Sequence, residues 1–255
     1  VWVALSMIGV SSIAMTLFTS RPVGDAMATT IWGTSSSWTL TALPLFVWMG
    51  EILFRTKLSE NLFEGLSPWM QKLPGGLIHV NIVGCALFAA ISGSSAATVA
   101  TVGKMSIPEL RKRNYPEKIL LGSLAGSGTL GLLIPPSIIL IIYGVTVQES
   151  IAKLFVAGII PGIMIALIFM GYVILWSLFN KKEMPSILTN YSFGEKIKRS
   201  GQLIPVILLI ISVIGSIYTG IATATEAASL GVVGALILSY FQKSLNWNTF
   251  KNSLL

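Results

Sequence analysis

The sequence predicts an all-α, polytopic membrane protein that contains one re-entrant helical hairpin. Three observations support this fold class. Hydrophobic residues make up 53% of the chain and charged residues only 11%, the apolar residues lie in long blocks, and basic residues flank one block at both ends. Soluble domains carry about 25% charged residues, and long apolar blocks suit a chain that meets the lipid bilayer. The net charge of +7 is better explained by membrane topology than by nucleic-acid binding.

Seven apolar blocks divide the chain. They cover residues 1–18, 38–54, 74–103, 119–147, 151–179, 201–219 and 227–242. A helix needs roughly 20 apolar residues to cross a bilayer core of about 30 Å, and most of the blocks reach that length. The first block has no initiating Met and no basic n-region, so we expect the chain to start inside its first helix.

The segment 57–71 differs from the blocks on either side of it. Leu58, Leu62, Leu66 and Trp69 fall along one helical face, with polar residues between them. This spacing predicts an amphipathic helix that lies flat at the membrane interface.

Basic residues decide the predicted topology. All 17 lysines and arginines except Arg21 and Lys153 lie in four clusters, at 55–72, 104–118, 181–199 and 243–251. Because cytoplasmic loops collect lysine and arginine, we expect the loops 104–118 and 180–200 to be cytoplasmic. Block 74–103 has a cluster at each end, so it must enter and leave the membrane on the same side.

Block 74–103 also has the length and the centre of a helical hairpin. Its 30 residues suit two half-helices that meet near mid-membrane, at about 1.5 Å rise per residue. The centre reads Ile91-Ser92-Gly93-Ser94-Ser95-Ala96, which is small and polar where a continuous span would carry bulky apolar residues. We therefore predict a re-entrant hairpin with its tip at 92–95.

A second interruption lies inside block 119–147, at GSGTLGLLIPP over residues 126–136. Pro135 and Pro136 have no N–H group and the glycines permit unwinding, so backbone carbonyls are freed. Carbonyls and hydroxyls form a set of hard oxygen ligands that suits Na⁺, and the helix N-terminus at 94–97 directs positive partial charge at an anion. Discontinuous helices with both features indicate an ion-coupled secondary transporter. The run 126–131 taken alone is equally compatible with close helix packing.

Three ionisable residues lie in or near the apolar blocks. Glu51 precedes Arg55 by four residues, which predicts an ion pair at the interface. Glu226 starts a helix, where it can either cap that helix or support an ion site, and both interpretations stay open. His79 lies early in the hairpin and is predicted to be structural rather than part of a proton relay.

Sequence motifs of enzymes and of ATP-driven pumps are absent from the printed chain. It has no G-x-x-x-x-G-K-[ST] loop, no His/Cys cluster with metal-ligand spacing and no nucleophile elbow. We therefore predict no enzymatic activity and no cofactor. Energy for transport would come from an ion gradient or from a partner subunit.

Four motifs occur in order along the chain. They are PLFVWMGE at 44–51, SGSSAAT at 92–98, GLLIPPS at 131–137 and ATEA at 224–227. Together, over nearly the whole chain, they resemble the large membrane subunit of tripartite ATP-independent periplasmic (TRAP) transporters. The resemblance implies an elevator-type transporter of the ion transporter superfamily, built as an inverted repeat with two hairpins. This chain would hold one half and the start of the other, so we expect transport to belong to the full-length subunit.

The same resemblance implies function and partners. It implies uptake of organic acids, such as C4-dicarboxylates, sialic acid or keto acids, with Na⁺ as the coupling ion. The expected location is the bacterial inner membrane. The expected partners are a small four-helix membrane subunit and a periplasmic substrate-binding protein.

The resemblance further implies a division of the chain into five parts. These are N-terminal scaffold helices (1–56), an arm helix linking moving and fixed parts (57–73), the transport-domain hairpin and broken helix (74–150), a transmembrane helix with a cytoplasmic basic loop (151–200) and the start of the second repeat (201–255).

Carried over by position, the tip and the break form the first ion site and one wall of the substrate site. The residues assigned to ion and substrate binding are Ser92, Gly93, Ser94, Ser95, Gly128, Thr129, Gly131, Ile134, Pro136, Thr225 and Glu226. Those assigned to Na⁺ are Ser92, Ser94, Ser95, Gly131 and Ile134.

Three alternatives remain. Another carrier of the same superfamily, such as a divalent-anion or arsenite permease, would work without a binding protein. A non-transporting membrane scaffold would use the breaks only for packing. A membrane-embedded enzyme is disfavoured, because no paired catalytic groups lie at one depth.

Overall fold

The computed structural model describes residues 2–56, 58–185 and 191–254, and every regular element within them is helical. The α-helices are α1 Trp2–Phe18, α2 Val23–Ser35, α3 Ala42–Phe54, α4 Leu58–Met70, α5 Ile78–Ser92, α6 Ser95–Lys112, α7 Glu117–Gly128, α8 Ile138–Val147, α9 Ile151–Phe179, α10 Phe193–Ser200, α11 Ile204–Tyr218, α12 Ala224–Phe241 and α13 Trp247–Ser253. The predicted all-α class is confirmed.

Residues 1–40 form a compact unit of their own. Within it α1 contacts α2, and the hydroxyl of Ser12 lies 3.1 Å from the sulfur of Met27. Helix α2 was not predicted, because threonine, glycine and serine interrupt its apolar residues. Asp25 in its first turn favours helix formation through the helix dipole.

Residues 41–255 form the second unit. Its core joins large side chains from several helices, among them Phe46, Met49, Phe88 and Phe155, all essentially inaccessible to solvent. Helix α12 packs along α3 and α11. Met49 lies directly against Gly231, whose missing side chain lets α3 and α12 come close together.

Three helices of the described part are long and apolar enough to cross a membrane. They are Ile151–Phe179, Phe193–Tyr218, in which α10 and α11 run on through a 3₁₀ turn, and Ala224–Phe241. Much of their apolar surface is open, and Ile160 on α9 is 77% exposed. Such a surface suits contact with lipid. The chain is therefore a multi-pass membrane protein.

Helix α4 covers the predicted amphipathic segment 57–71, although Lys57 and the side chain of Leu58 lie outside the described residues. Leu62 and Leu66 are buried inside the protein, whereas Trp69 is 41% exposed. Much of the apolar stripe therefore packs on protein. The position of α4 at the membrane interface stays a prediction.

Trp69 joins α4 to α10. Its indole N–H donates to the hydroxyl of Ser200 at 2.7 Å, Phe193 meets the ring edge-on, and the ammonium of Lys196 lies 5.2 Å from the ring centroid. Residues 186–190 of the predicted basic loop 180–200 lie outside the described part. Helices α10 and α13, which lie in or after basic segments, were not predicted because neither is an apolar block.

Candidate functional site

Helices α5 and α6 form an antiparallel hairpin around Gly93. Gly84 lies nine residues before Gly93 and Val102 nine residues after it, and a Cβ atom placed on Gly84 would lie 3.6 Å from Val102 Cγ1. Equal spacing on both sides means that the chain folds back on itself at this glycine. A helical hairpin is therefore present, with its tip inside the predicted block 74–103, although α6 runs on to Lys112. That the hairpin is re-entrant stays a prediction.

The turn at the tip depends on glycine at position 93. Gly93 has a φ of +58°, in the left-handed region that L side chains rarely adopt. Ser94 is extended and caps α6, because its Oγ accepts a hydrogen bond from the amide N–H of Ala97 at 3.4 Å. The tip thus ends one helix and begins another within two residues.

The predicted break between α7 and α8 is also present. A 3₁₀ turn over Thr129–Leu132 is followed by non-helical backbone up to Ser137. Pro135 has no N–H to donate to the carbonyl of Gly131, its helical partner four residues earlier. One residue later, the carbonyl of Leu132 accepts from the hydroxyl of Ser137 at 2.6 Å.

The tip and the break lie against each other. A Cβ atom on Gly131 would lie 2.8 Å from the amide nitrogen of Ser95 and 3.0 Å from the carbonyl oxygen of Ser94. A Cβ on Gly93 would lie 2.6 Å from the carbonyl oxygen of Pro136, and the Gly93 carbonyl accepts from Ile138 N–H at 3.4 Å. Only residues without side chains permit this approach of two backbones.

Four helix ends meet at this contact. Helices α5 and α7 end beside it with their carbonyl groups, and α6 and α8 begin beside it with their N–H groups. The C-terminal ends carry negative partial charge and the N-terminal ends positive partial charge. The same small region can therefore stabilise a cation and an anion without any charged side chain.

Hydroxyl groups line the tip. The Oγ of Ser92 lies 3.0 Å from Oγ1 of Thr98, which also donates to the Ser94 carbonyl at 2.7 Å. The Oγ of Ser95 is buried and has no hydrogen-bond partner among the described residues. An unpaired buried hydroxyl is costly unless a ligand satisfies it, so Ser95 is the most informative of the predicted ligands.

The structure brings most of the predicted residues together, but Thr129 and Ile134 face elsewhere, and Thr225 and Glu226 lie on another helix. Gly128 lies against Val99 on α6, close behind the tip. The side chain of Ile134 packs on Gly162 of α9. A Cβ atom on Gly162 would lie 2.9 Å from Ile134 Cγ1. Thr129 is exposed, and its hydroxyl donates to the carbonyl of Gly126 at 2.6 Å.

Thr225 and Glu226 lie in the first turn of α12, which packs on α3 and α11. The carboxylate of Glu226 accepts from the N–H and the hydroxyl of Thr223, both at 2.8 Å, and the Glu226 N–H donates to the Thr223 hydroxyl at 3.3 Å. This is a capping box. Of the two interpretations of Glu226, the structure shows the cap, and a role at an ion site stays a prediction.

Two residues at the tip were missed as site residues. A Cβ on Gly50 would lie 2.9 Å from Ser92 Cα, so α3 supports the tip directly. Thr98 bonds both Ser92 and Ser94. Gly50 lies inside the motif 44–51 and Thr98 inside the motif 92–98, so these motifs could have indicated them.

Glu51 and His79 make local contacts. Arg55 donates two hydrogen bonds to Oε1 of Glu51, at 2.6 and 2.9 Å, which confirms the predicted ion pair. The Nε2 of His79 lies 2.8 Å from the carbonyl oxygen of Pro74, at the start of the hairpin. Cys85 is buried.

Comparison with known proteins places the chain in a family. Residues 1–255 match the family described as tripartite ATP-independent periplasmic transporter, DctM component. The chain belongs to this family. It is a family of transport proteins rather than of enzymes.

Individual relatives extend the comparison. The C4-dicarboxylate TRAP transporter large permease protein DctM of Pseudomonas aeruginosa is 33% identical over 92% of this chain and 54% of its own length. The isethionate permease protein DctMQ of Oleidesulfovibrio alaskensis is 34% identical over 87% of this chain and 34% of its own. The sialic acid permease protein SiaT of Haemophilus influenzae is 34% identical over 85% of this chain and 35% of its own. The chain thus spans about half of the length of the first of these relatives and about a third of the length of the other two.

Proposed function

We propose that the chain is part of the large permease subunit of a Na⁺-coupled TRAP transporter that imports an organic acid. In this proposal the acid is delivered by a periplasmic binding protein, and a small four-helix subunit accompanies the permease in the bacterial inner membrane. The names of the relatives, which include C4-dicarboxylate and sialic acid permeases, support organic acids as the substrate class.

The observation that carries the proposal is the contact between Gly131 and Ser94–Ser95. It brings the backbone of Gly131, whose carbonyl has no helical N–H donor, against the backbone of Ser94 and Ser95. The unpaired hydroxyl of Ser95 belongs to the same tip. These donors are neutral oxygens, and unwound carbonyls beside helix C-termini coordinate Na⁺ in other secondary transporters. The residues present therefore fit Na⁺ as a coupling ion.

The substrate side of the proposal rests on the helix N-termini. Helices α6 and α8 begin at the same contact, so their N–H groups direct positive partial charge toward one place. A carboxylate of the substrate would be held there. The hairpin would be re-entrant, with both of its ends at the cytoplasmic side and its tip near mid-membrane.

Uptake by the full-length permease tests this function. The permease would be reconstituted with its small subunit and binding protein in liposomes, and uptake of a labelled C4-dicarboxylate and of sialic acid would be followed as external Na⁺ is varied. Ser95→Ala removes one oxygen ligand. We expect it to raise the Na⁺ concentration for half-maximal uptake about 5-fold, which corresponds to the roughly 1 kcal/mol of one such interaction.

Ser106→Ala is the matched control. Ser106 lies on the same helix α6, is fully buried, and its hydroxyl also has no partner among the described residues. It lies three turns from the tip, so its loss should leave the Na⁺ dependence unchanged. Uptake that needs no Na⁺ gradient would refute the coupling, and uptake that needs no binding protein would favour a binding-protein-independent carrier.

A further inference from the structure

A groove lies between α7 and α9, on a part of the surface that the proposed transport site does not use. Its volume is about 590 Å³. Its walls are mainly apolar and include Ile119 and Gly122 from α7 and Phe169 and Tyr172 from α9. Because α9 is long and apolar enough to span a membrane, the groove would border the bilayer.

Two glycines one turn apart explain why the groove exists. A Cβ atom on Gly126 would lie 3.6 Å from the ring of Phe169, so α7 and α9 are in ordinary contact at that level. A Cβ on Gly122 would meet no atom within 4 Å. The helices therefore touch at Gly126 and stay apart at Gly122, one turn closer to the start of α7. The gap beside Gly122 is the part of the groove that we call the slot.

The open end of the slot carries a positive charge. Lys118 lines the groove and lies in the first turn of α7, where the helix dipole also favours an anion. The adjacent Glu117 is paired with Arg111, and within the described ranges no carboxylate forms an ion pair with Lys118. Trp176 and Tyr172 line the groove as well, and these residue types are enriched where membrane meets water.

From this arrangement we propose that the groove binds one anionic phospholipid of the cytoplasmic leaflet, with an acyl chain in the slot and the phosphate at Lys118. An acyl chain is a single file of methylene groups and matches an apolar slot with one cation at its interfacial end.

The test measures lipid binding directly and is independent of transport. The full-length permease, in complex with its small subunit, would be placed in phosphatidylcholine nanodiscs that contain phosphatidylglycerol with a photoreactive acyl chain. After irradiation, lipid adducts would be located by mass spectrometry of peptides. We expect adducts on α7 and α9 in the region of Gly122 and Phe169.

Two pairs of variants distinguish the parts of the proposal. Gly122→Leu fills open space in the slot and should lower the adduct yield at least 5-fold, whereas Gly171→Leu, on α9 but outside the groove and also facing open space, should not. Lys118→Gln should remove the preference for phosphatidylglycerol over an equally labelled phosphatidylcholine, whereas Lys112→Gln should preserve it. Ile168→Trp fills the slot from the opposite wall, and it replaces Gly122→Leu in the experiment if that variant does not fold.

Three results would overturn the proposal. They are adducts that persist in both slot-filling variants, equal labelling by the two lipids in the unmodified permease, and crosslinks from the groove to a protein partner in place of lipid. A permease that binds the lipid but does not transport would leave this proposal standing and refute only the proposed function.

Discussion

Gly131 lies against Ser95 so closely that a single methyl group on Gly131 would reach within 2.8 Å of the Ser95 amide nitrogen. The hairpin tip and the broken helix therefore depend on each other. Neither backbone can move aside easily, because Ser94 and Ser95 form the beginning of α6 and Gly131 lies in a 3₁₀ turn.

The first prediction concerns this contact. Gly131→Ala should separate the tip from the break and reduce Na⁺-driven uptake at least 10-fold, while the permease still inserts into the membrane. Gly126→Ala, in the same broken helix, places its Cβ at 3.6 Å from Phe169, an ordinary contact, and should retain uptake. Uptake assays corrected for the amount of protein in the membrane provide the measurement. Equal uptake by the two variants would show that the contact is not needed for transport.

The second prediction separates backbone strain from loss of contact at the tip. Gly93→Ala places a side chain at a φ of +58°, which costs about 1–2 kcal/mol, and also drives its Cβ against the Pro136 carbonyl. Gly220→Ala introduces the same kind of strain at a φ of +71° with no atom nearby. We expect the melting temperature in detergent to fall further for Gly93→Ala than for Gly220→Ala. An equal fall in both would mean that the tip contact contributes nothing to stability.

The third prediction concerns the topology of the hairpin. Single cysteines would replace Lys72, Lys112 and Glu149, all exposed, in a Cys85→Ala background. Because the hairpin returns to its starting side, positions 72 and 112 should react with an impermeant maleimide from the cytoplasm and position 149 from the periplasm. If 72 and 112 react from opposite sides, the segment crosses the membrane and is not re-entrant.

The fourth prediction decides between the two roles of Glu226. A capping role means that Thr223→Ala should lower stability by about 0.5–2 kcal/mol. Glu226→Gln should lower it less, because a glutamine oxygen can still accept from the Thr223 N–H. Neither should change the Na⁺ concentration for half-maximal uptake. Thermal unfolding and uptake measured on the same two variants provide the check. A change in Na⁺ dependence for Glu226→Gln alone would restore the ion-site interpretation.

The sequence could predict those features of the site that arise within a few residues of the chain. Gly93 between Ser92 and Ser94 indicated a turn, and Pro135 and Pro136 indicated a break, because glycine and proline act on the backbone locally. The close approach of Gly50 to Ser92 could not be predicted, since it joins residues about forty positions apart. The orientation of the Ile134 side chain toward Gly162 of α9, and the hydrogen bond from Thr129 to the carbonyl of Gly126, likewise depend on how neighbouring helices position this segment.

The sequence alone determined the all-α membrane class, the positions of the hairpin and the break, and the family, because these follow from apolar block lengths, charge clusters and ordered motifs. Only the tertiary structure decided that Ser95 and Gly131 meet, that Glu226 caps its helix, and that a slot opens beside Gly122. The physical reason is that a glycine permits a close approach but does not specify its partner. The partner is set by how whole helices pack, and that packing depends on all the side chains together.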